Sequence, residues 1–380
     1  MISNLKKFLF SSAILAGTII GAGIFSLPYV FAKTGFLIST VYLVLLAGIF
    51  ILLYLMYADV ILVTPGKHQF VGESRKYLGL SGYLIAILTA VLGMFLVLTV
   101  YLILSSSFIN LIFTQSVGSL TVLIIFWVFG SLGILLGIRA IGFEEVLMAG
   151  GIVLIVAVLF FLGIGQFNWV TFTKWQPSYF FLPYGPLIFS LAGRVAIPEL
   201  VRRLNKTPPD HHLLKKSIIT GVLLPAVIYL AFVLAVTGLS KGPTAITPDA
   251  VSGLINSLNR EILVILGFLG IFTLLSSYII IGLNIKEILI FDFKIAKGLA
   301  ALIVILAPLL LYLVGLKNFL HLVSLIGGVF IALEAILIIL MWRQSSKIRG
   351  TVLFRQLPKF LIYFLLIIFG LGIIYQIFYL

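Results

Sequence analysis

Apolar stretches run almost without interruption from Leu9 to Leu380, separated by short loops that carry most of the charge. That pattern decides the solvent. Of the 380 residues, 62% are hydrophobic before glycine is counted and 9% are charged. Soluble domains hold about 45–50% apolar residues with glycine included and about 25% charged ones. A chain so composed has no polar surface to turn toward water, so the bilayer is its folding medium. There every backbone N–H and C=O must be satisfied inside the protein, which leaves α-helices as the way for such runs to cross.

A crossing takes about 20 apolar residues over roughly 30 Å of hydrocarbon. That length places eleven spans at 8–32, 36–63, 81–113, 118–138, 143–166, 181–204, 216–238, 260–284, 298–315, 318–341 and 356–379. The start, MISNLKKFLF, leads into the first span without a small-residue cleavage site and reads as no cleavable signal. Cysteine is absent, which excludes disulfides, thiolate metal sites and cysteine nucleophiles.

The net charge of +14 invites a nucleic-acid reading, but its distribution argues otherwise. With the N-terminus inside, one set of loops carries Lys6, Lys7, Lys67, Arg75, Lys76, Arg139, Arg202, Arg203, Lys206, Lys215, Lys216, Lys286, Lys294, Lys297, Arg343, Lys347, Arg349, Arg355 and Lys359. The other carries Lys33, Lys174, Lys241, Arg260 and Lys317. That is 19 against 5, with Arg194 left inside a span. Lys and Arg stay cytoplasmic, so the N-terminus is expected inside and the C-terminus outside. Two loops are expected to hold structure of their own. Residues 66–79 put Phe70, Val71, Tyr77 and Leu78 on one helical face along the inner membrane surface. Residues 241–259 read as an outer loop with a short helix after Thr247.

Gly17–Tyr29, GTIIGAGIFSLPY, is a poor continuous helix: interior glycine costs about 1 kcal/mol and proline about 3. In the sixth span, Ser190–Leu191–Ala192–Gly193 forms a second plausible break. Gly17–Gly23 lie about 14–22 Å in from one face and Ser190–Gly193 about 14–18 Å in from the other, so both fall near the midplane. Spans one and six also head two five-helix blocks of opposite orientation, 8–166 and 181–341, with 356–379 left over. Interrupted helices at matching positions of inverted repeats point to a transport site. Each break leaves N–H groups free on one half-helix and C=O groups free on the other, which suits the carboxylate and ammonium of an amino acid. The alternative is that Gly17 and Gly21 form a GxxxG packing motif.

At these residues the chain resembles the amino acid/auxin permease branch of the amino acid–polyamine–organocation superfamily, and within it bacterial aromatic amino acid and serine permeases. GTIIGAGIFSLPYVFAKTGF (17–36) is similar to that branch's first-helix signature, FSLAGRVAIPEL (189–200) to its sixth helix and TLLSSYIIIGLNIKEIL (273–289) to its eighth. The resemblance implies an all-α polytopic membrane protein with a five-plus-five inverted repeat (LeuT-like), helices 1 and 6 broken, an extra C-terminal helix, and alternating access. It implies substrate contacts at Gly21, Ala22, Gly23, Tyr101, Ser190, Leu191, Ala192 and Gly193. It also implies a cation between the Gly17 and Ile20 carbonyls and the Ser276 and Ser277 hydroxyls, an oxygen set suited to Na+. A proton is the competing driver, and no other cofactor is expected. Read without the resemblance, Tyr101 is interhelical glue and the serines bond their own backbone.

Arg194, Glu334 and Asp59 fall inside spans, where a charge costs about 2.5–3.5 kcal/mol or more. Arg194 lies about 20 Å and Glu334 about 24 Å below the outer surface, depths that allow a pair. Arg194 either clamps a substrate carboxylate or pairs with Glu334 in an inner gate. An arginine here departs from the usual family pattern. Asp59 reads as an interfacial residue or a proton relay, and Glu199 as part of an inner rim with Arg202 and Arg203.

The resulting expectation is one transporter domain over 1–380 in the plasma membrane, carrying an amino acid and contacting lipid but no nucleic acid. A polyamine cargo conflicts with Arg194, a receptor lacks a long tail, a channel lacks a polar stripe, and four histidines supply no enzyme-like cluster.

Overall fold

The computed structural model describes residues 2–64, 70–113, 119–137, 143–167, 176–205, 210–240, 242–291, 293–354 and 357–379. Lys67, Arg139, Lys174, Lys206, Lys241 and Arg355, used above for orientation, lie outside the described residues. The described residues form helices and connecting turns, with no strand among them. In chain order the helices are α1 (Ile2–Ile19), α2 (Leu27–Thr34), α3 (Phe36–Val63), α4 (Phe70–Ile87), α5 (Gly93–Ile112), α6 (Ser119–Leu136), α7 (Phe143–Gly163) and α8 (Tyr184–Ser190). They continue with α9 (Ile197–Leu204), α10 (His211–Leu239), α11 (Arg260–Phe291), α12 (Lys297–Leu313), α13 (Phe319–Leu325), α14 (Ala332–Arg349) and α15 (Lys359–Tyr379).

Among the described residues six stretches are long and apolar enough to cross a membrane, and a seventh is the pair Leu5–Ile19 and Ala22–Thr34, bent by 50° at its break. Leu120–Leu136, Gly150–Gln166 and Lys297–Leu313 are shorter apolar helices. The expected sixth span is divided between α8 and α9.

α3 shows how such a helix is used. It is apolar on every side, as a helix in lipid is. Leu43, Leu46, Phe50, Leu53, Tyr54 and Tyr57 recur every three or four residues and are buried, while Val41, Val44 and Leu45 are exposed on the outside. At 1.5 Å per residue its 28 residues reach about 42 Å, enough to cross with tilt. α1 packs on α10 and α7, α5 on α11, and α14 on α3, α4 and α15. The two broken segments therefore lie at the centre of the bundle.

The third span departs from its expected start at 81. Helix begins at Phe70 and continues to Ile112, about 65 Å of chain, over twice the hydrocarbon thickness. Gly79 resolves the excess: its φ of 71° breaks helical geometry, a conformation glycine adopts without a Cβ penalty. Residues 70–78 thus form a separate short helix. Its apolar face was expected to meet the membrane surface, but Phe70, Val71 and Tyr77 are buried in the protein.

Two further expectations change. The helix after Thr247 is a 3-10 turn at Ser252–Asn256, tied by Asp249, which accepts from the Thr247 and Ser252 hydroxyls at 2.6 Å each. Asp59 does not reach the interface: it is 1% exposed. Its carboxylate accepts from Trp342 Nε1 at 2.9 Å and from the Val352 and Leu353 backbone N–H groups at 2.7 and 2.8 Å. These bonds satisfy a buried carboxylate and pin α3 to α14 and the loop after it.

Candidate functional site

The first break opens where α1 ends. Ile20 still donates to Ala16 O at 2.8 Å, but Gly21 is extended (φ −135°, ψ −153°) and a 3-10 turn, Ala22–Ser26, leads into α2. The N–H groups of Gly21, Ala22 and Gly23 find no backbone acceptor, so this stretch presents polar backbone. The second break follows α8: Ala192 donates to Phe189 O at 3.2 Å, Gly193 leaves helical geometry, and a 3-10 turn over Arg194–Ala196 starts α9. The breaks touch. A Cβ on Gly23 would lie 2.6 Å from Ser190 Cα, and one on Gly193 would lie 2.5 Å from Ile19 Cγ1. Glycine at 23 lets the main chains meet, and glycine at 193 admits the Ile19 side chain against the second break.

Two tyrosines hold the unwound segments. The Tyr229 hydroxyl, from α10, reaches Ile19 O at 2.8 Å and Ser190 O at 2.6 Å. The Tyr54 hydroxyl, from α3, donates to Leu191 O at 2.6 Å and accepts from the Gly193 N–H. Tyr54 thereby engages the Leu191 carbonyl and the Gly193 N–H, and the single Tyr229 proton is shared between Ile19 O and Ser190 O, without closing either helix.

Beside the breaks is a cavity of about 630 Å³. Gly17, Ile20, Gly21, Ala22 and Gly23 form one wall, and Ala192, Gly193 and Arg194 another. Phe50, Phe189 and Phe330 supply aromatic surface, and Tyr54 and Tyr101 add hydroxyls. The cavity extends to Glu199, Arg202 and Arg203, where Glu199 pairs with both arginines. On the other side Phe25 meets Phe108 and Phe232 edge to face, at 5.1 and 5.7 Å between ring centroids. Two π-turns, Leu88–Leu92 and Ile326–Ile331, flank the cavity, and the second carries Phe330. Such turns recur at functional sites.

Arg194 and Glu334 meet here. Arg194 Nε donates to Glu334 Oε2 at 2.8 Å and its Nη2 to Oε1 at 3.0 Å, while the Phe70 ring lies 4.0 Å from the guanidinium carbon. Both side chains are 13% exposed. The two-pronged geometry is the strong form of this contact.

Of the residues singled out from sequence, Gly17, Ile20, Gly21, Ala22, Gly23, Tyr101, Ala192, Gly193, Arg194, Ser277 and Glu334 line the cavity. Ser190 and Leu191 sit behind the wall, their carbonyls occupied by the tyrosines. Tyr101 stands against the first break, its hydroxyl 3.3 Å from where a Cβ on Gly21 would lie. Ser276 is half-buried, one residue from the lining, and Asp59 stands apart in its own contacts. Sequence reasoning passed over Phe50, Tyr54, Tyr229 and Phe330. Gly327–Gly328 is the sequence signal nearest the second π-turn; a tyrosine in a span gives no hint of its partner.

The sequence profile of the tryptophan/tyrosine permease family matches residues 4–377. Among solved structures, a crystal structure of MhsT in complex with L-phenylalanine superposes with a TM-score of 0.68 and 17% identity, covering 97% of this chain and 98% of that one. At that identity the likeness shows the fold, the LeuT fold that the family resemblance implied. No curated protein sequence matches.

Proposed function

The chain belongs to the tryptophan/tyrosine permease family, and from that premise we propose that it is a secondary active transporter carrying an aromatic amino acid across the plasma membrane by alternating access, coupled to H+ or Na+. The observation that carries this reading is the cavity of about 630 Å³ between two unwound backbone segments. Its volume lies within the range of about 300–1,000 Å³ for small-molecule sites. The N–H groups of residues 21–23 suit a carboxylate, and oxygens of the same breaks suit an ammonium. Phe50, Phe189 and Phe330 offer an aromatic side chain edge and face partners. The L-phenylalanine held by MhsT, a protein of the same fold, supports a cargo of this class.

In this reading residues 8–166 and 181–341 are inverted repeats and 356–379 an added helix. The charge bias of the loops puts the N-terminus and the Arg202–Arg203 rim in the cytoplasm. A cavity extending to that rim, with phenylalanines packed opposite, corresponds to an inward-facing state. For coupling, Gly17, Ile20, Ser276 and Ser277 are the candidate Na+ ligands and the Arg194–Glu334 cluster the candidate proton-linked element.

The test is uptake of labelled tryptophan, tyrosine and phenylalanine into proteoliposomes with sodium and pH gradients imposed separately. Gradient-driven accumulation of at least one is expected. Neither binding nor uptake of any aromatic amino acid would overturn the reading.

A further inference from the structure

Glu73 projects inward from the short helix that ends at the Gly79 kink. It is 2% exposed, and its Oε2 is sealed from solvent with no hydrogen-bond partner among the described residues. The groups acting on the carboxyl are Tyr57 from α3, Arg194 from the second break and Lys76 on its own helix. Lys76 is exposed. The Tyr57 hydroxyl is buried between Glu73 and Arg194 without closing a well-formed hydrogen bond to either. From α14, which packs against this helix, Glu334 faces the cluster through Arg194. Glu199 on α9 is held by Arg202 and Arg203.

The charge count is one part-buried guanidinium against a part-buried carboxylate, Glu334, and the buried carboxyl of Glu73. Arg194 gives two hydrogen bonds to Glu334. An ionised Glu73 would then be a buried anion with an oxygen lacking any donor, a costly state. One proton makes the cluster neutral, and among the described residues Glu73 is the carboxyl of the two that closes no ion pair.

We propose that Glu73 is a proton-binding site whose occupancy is linked to substrate movement through Arg194. This rests on the transport reading above and goes beyond it by assigning the coupling group. Protonated, Glu73 is a neutral acid and Arg194 stays with Glu334. Deprotonation breaks the carboxyl O–H bond when the cluster opens toward the cavity that Arg194 lines, and the proton leaves to water there as hydronium, leaving one surplus negative charge in the cluster. Arg194 is then drawn past Tyr57 toward Glu73 and loosens its hold on Glu334. Because Arg194 directly follows Gly193, that shift reaches the backbone lining the cavity. Proton uptake from water on the opposite side re-forms the O–H bond and restores the pair.

The experiment compares wild type, Glu73→Gln and Glu73→Asp in proteoliposomes at clamped membrane potential, using a labelled aromatic amino acid that the wild type carries. With one proton per substrate, a gradient of one pH unit supports about tenfold accumulation in the wild type. Glu73→Gln should accumulate no more than it does without a gradient, while still exchanging internal for external substrate at a rate that no longer varies with pH. Glu73→Asp should keep accumulating, with a displaced pH profile. Tenfold accumulation by Glu73→Gln, or exchange retaining the wild-type pH profile, overturns the proposal. Where Glu73→Gln does not fold, Glu73→Asp decides alone, and an undisplaced profile overturns the proposal. If the wild type accumulates substrate on sodium alone with pH-independent exchange, this inference falls and the transport reading stands. If it neither binds nor moves any aromatic amino acid, both fall.

Discussion

Replacing Gly23 by alanine tests whether contact between the two breaks builds the site. The added Cβ would lie 2.6 Å from both Ser190 Cα and Ser190 Oγ. Carbon atoms pack at about 3.5–4.0 Å, so the two main chains must part by about 1 Å. Ser190 has little room to yield: Tyr229 holds its carbonyl, and its hydroxyl donates to Pro186 O at 2.7 Å. Overpacking of this kind costs about 1–3 kcal/mol, equivalent to about 5–150-fold in affinity. We expect a folded Gly23→Ala protein with a lowered thermal midpoint and tryptophan binding weakened within that range. Gly21→Ala is the steric comparison for the thermal midpoint, because its Cβ would meet only the Tyr101 hydroxyl, at 3.3 Å, and no main chain. The assay is equilibrium binding of labelled tryptophan to purified protein, followed by uptake. Binding by Gly23→Ala within twofold of wild type, or a larger fall of the thermal midpoint in Gly21→Ala, would refute the reasoning.

Arg194→Gln leaves Glu334 unpaired; breaking a fully buried pair from one side costs about 3–5 kcal/mol, and this pair, 13% exposed on the cavity wall, falls below that. Thermal unfolding should show a loss that the Arg194→Gln/Glu334→Gln double variant partly recovers without recovering uptake. Tyr229→Phe removes the hydroxyl facing Ile19 O and Ser190 O, and Tyr54→Phe strands Leu191 O and the Gly193 N–H. An unsatisfied buried group costs about 1–3 kcal/mol, so both should weaken substrate binding, with Tyr54→Phe the worse; unchanged binding isotherms would remove the tyrosines from the site. Asp59→Ala strands three donors and should lower the unfolding temperature while uptake per folded molecule keeps its wild-type pH profile. A displaced profile would mark Asp59 as a relay.

The legible part of this structure is what local chemistry decides. The second span was readable to both ends, Phe36–Val63, because Gly35 precedes the apolar run and Thr64–Pro65 follows it. The breaks announced themselves through glycine and proline in otherwise apolar helices, and the depth estimate brought Arg194 and Glu334 to one level. Contacts distant in sequence left no such trace. Tyr54 finds Leu191 across 137 positions and Tyr229 finds Ile19 across 210. Glu73 lay in a segment whose polar face belonged in water by amphipathic logic, and packing against α14 buried it. The anchoring role of Asp59 depends on Trp342 and on backbone at 352–353, which no local pattern foretells.

The crossed tyrosines carry a consequence for how divisible the molecule is. Tyr229, from the later half of the chain, fastens the unwound end of α1, and Tyr54, from the earlier half, fastens the unwound stretch after α8. Each half thus keeps the hydroxyl that the other needs. Severed in the loop between α7 and α8, the earlier fragment would hold an Ile19 carbonyl with nothing to cap it, and the later one a Gly193 N–H in the same condition. Neither piece would be a smaller transporter. Produced together they carry complementary fasteners, which makes two tandem blocks of sequence a single indivisible unit.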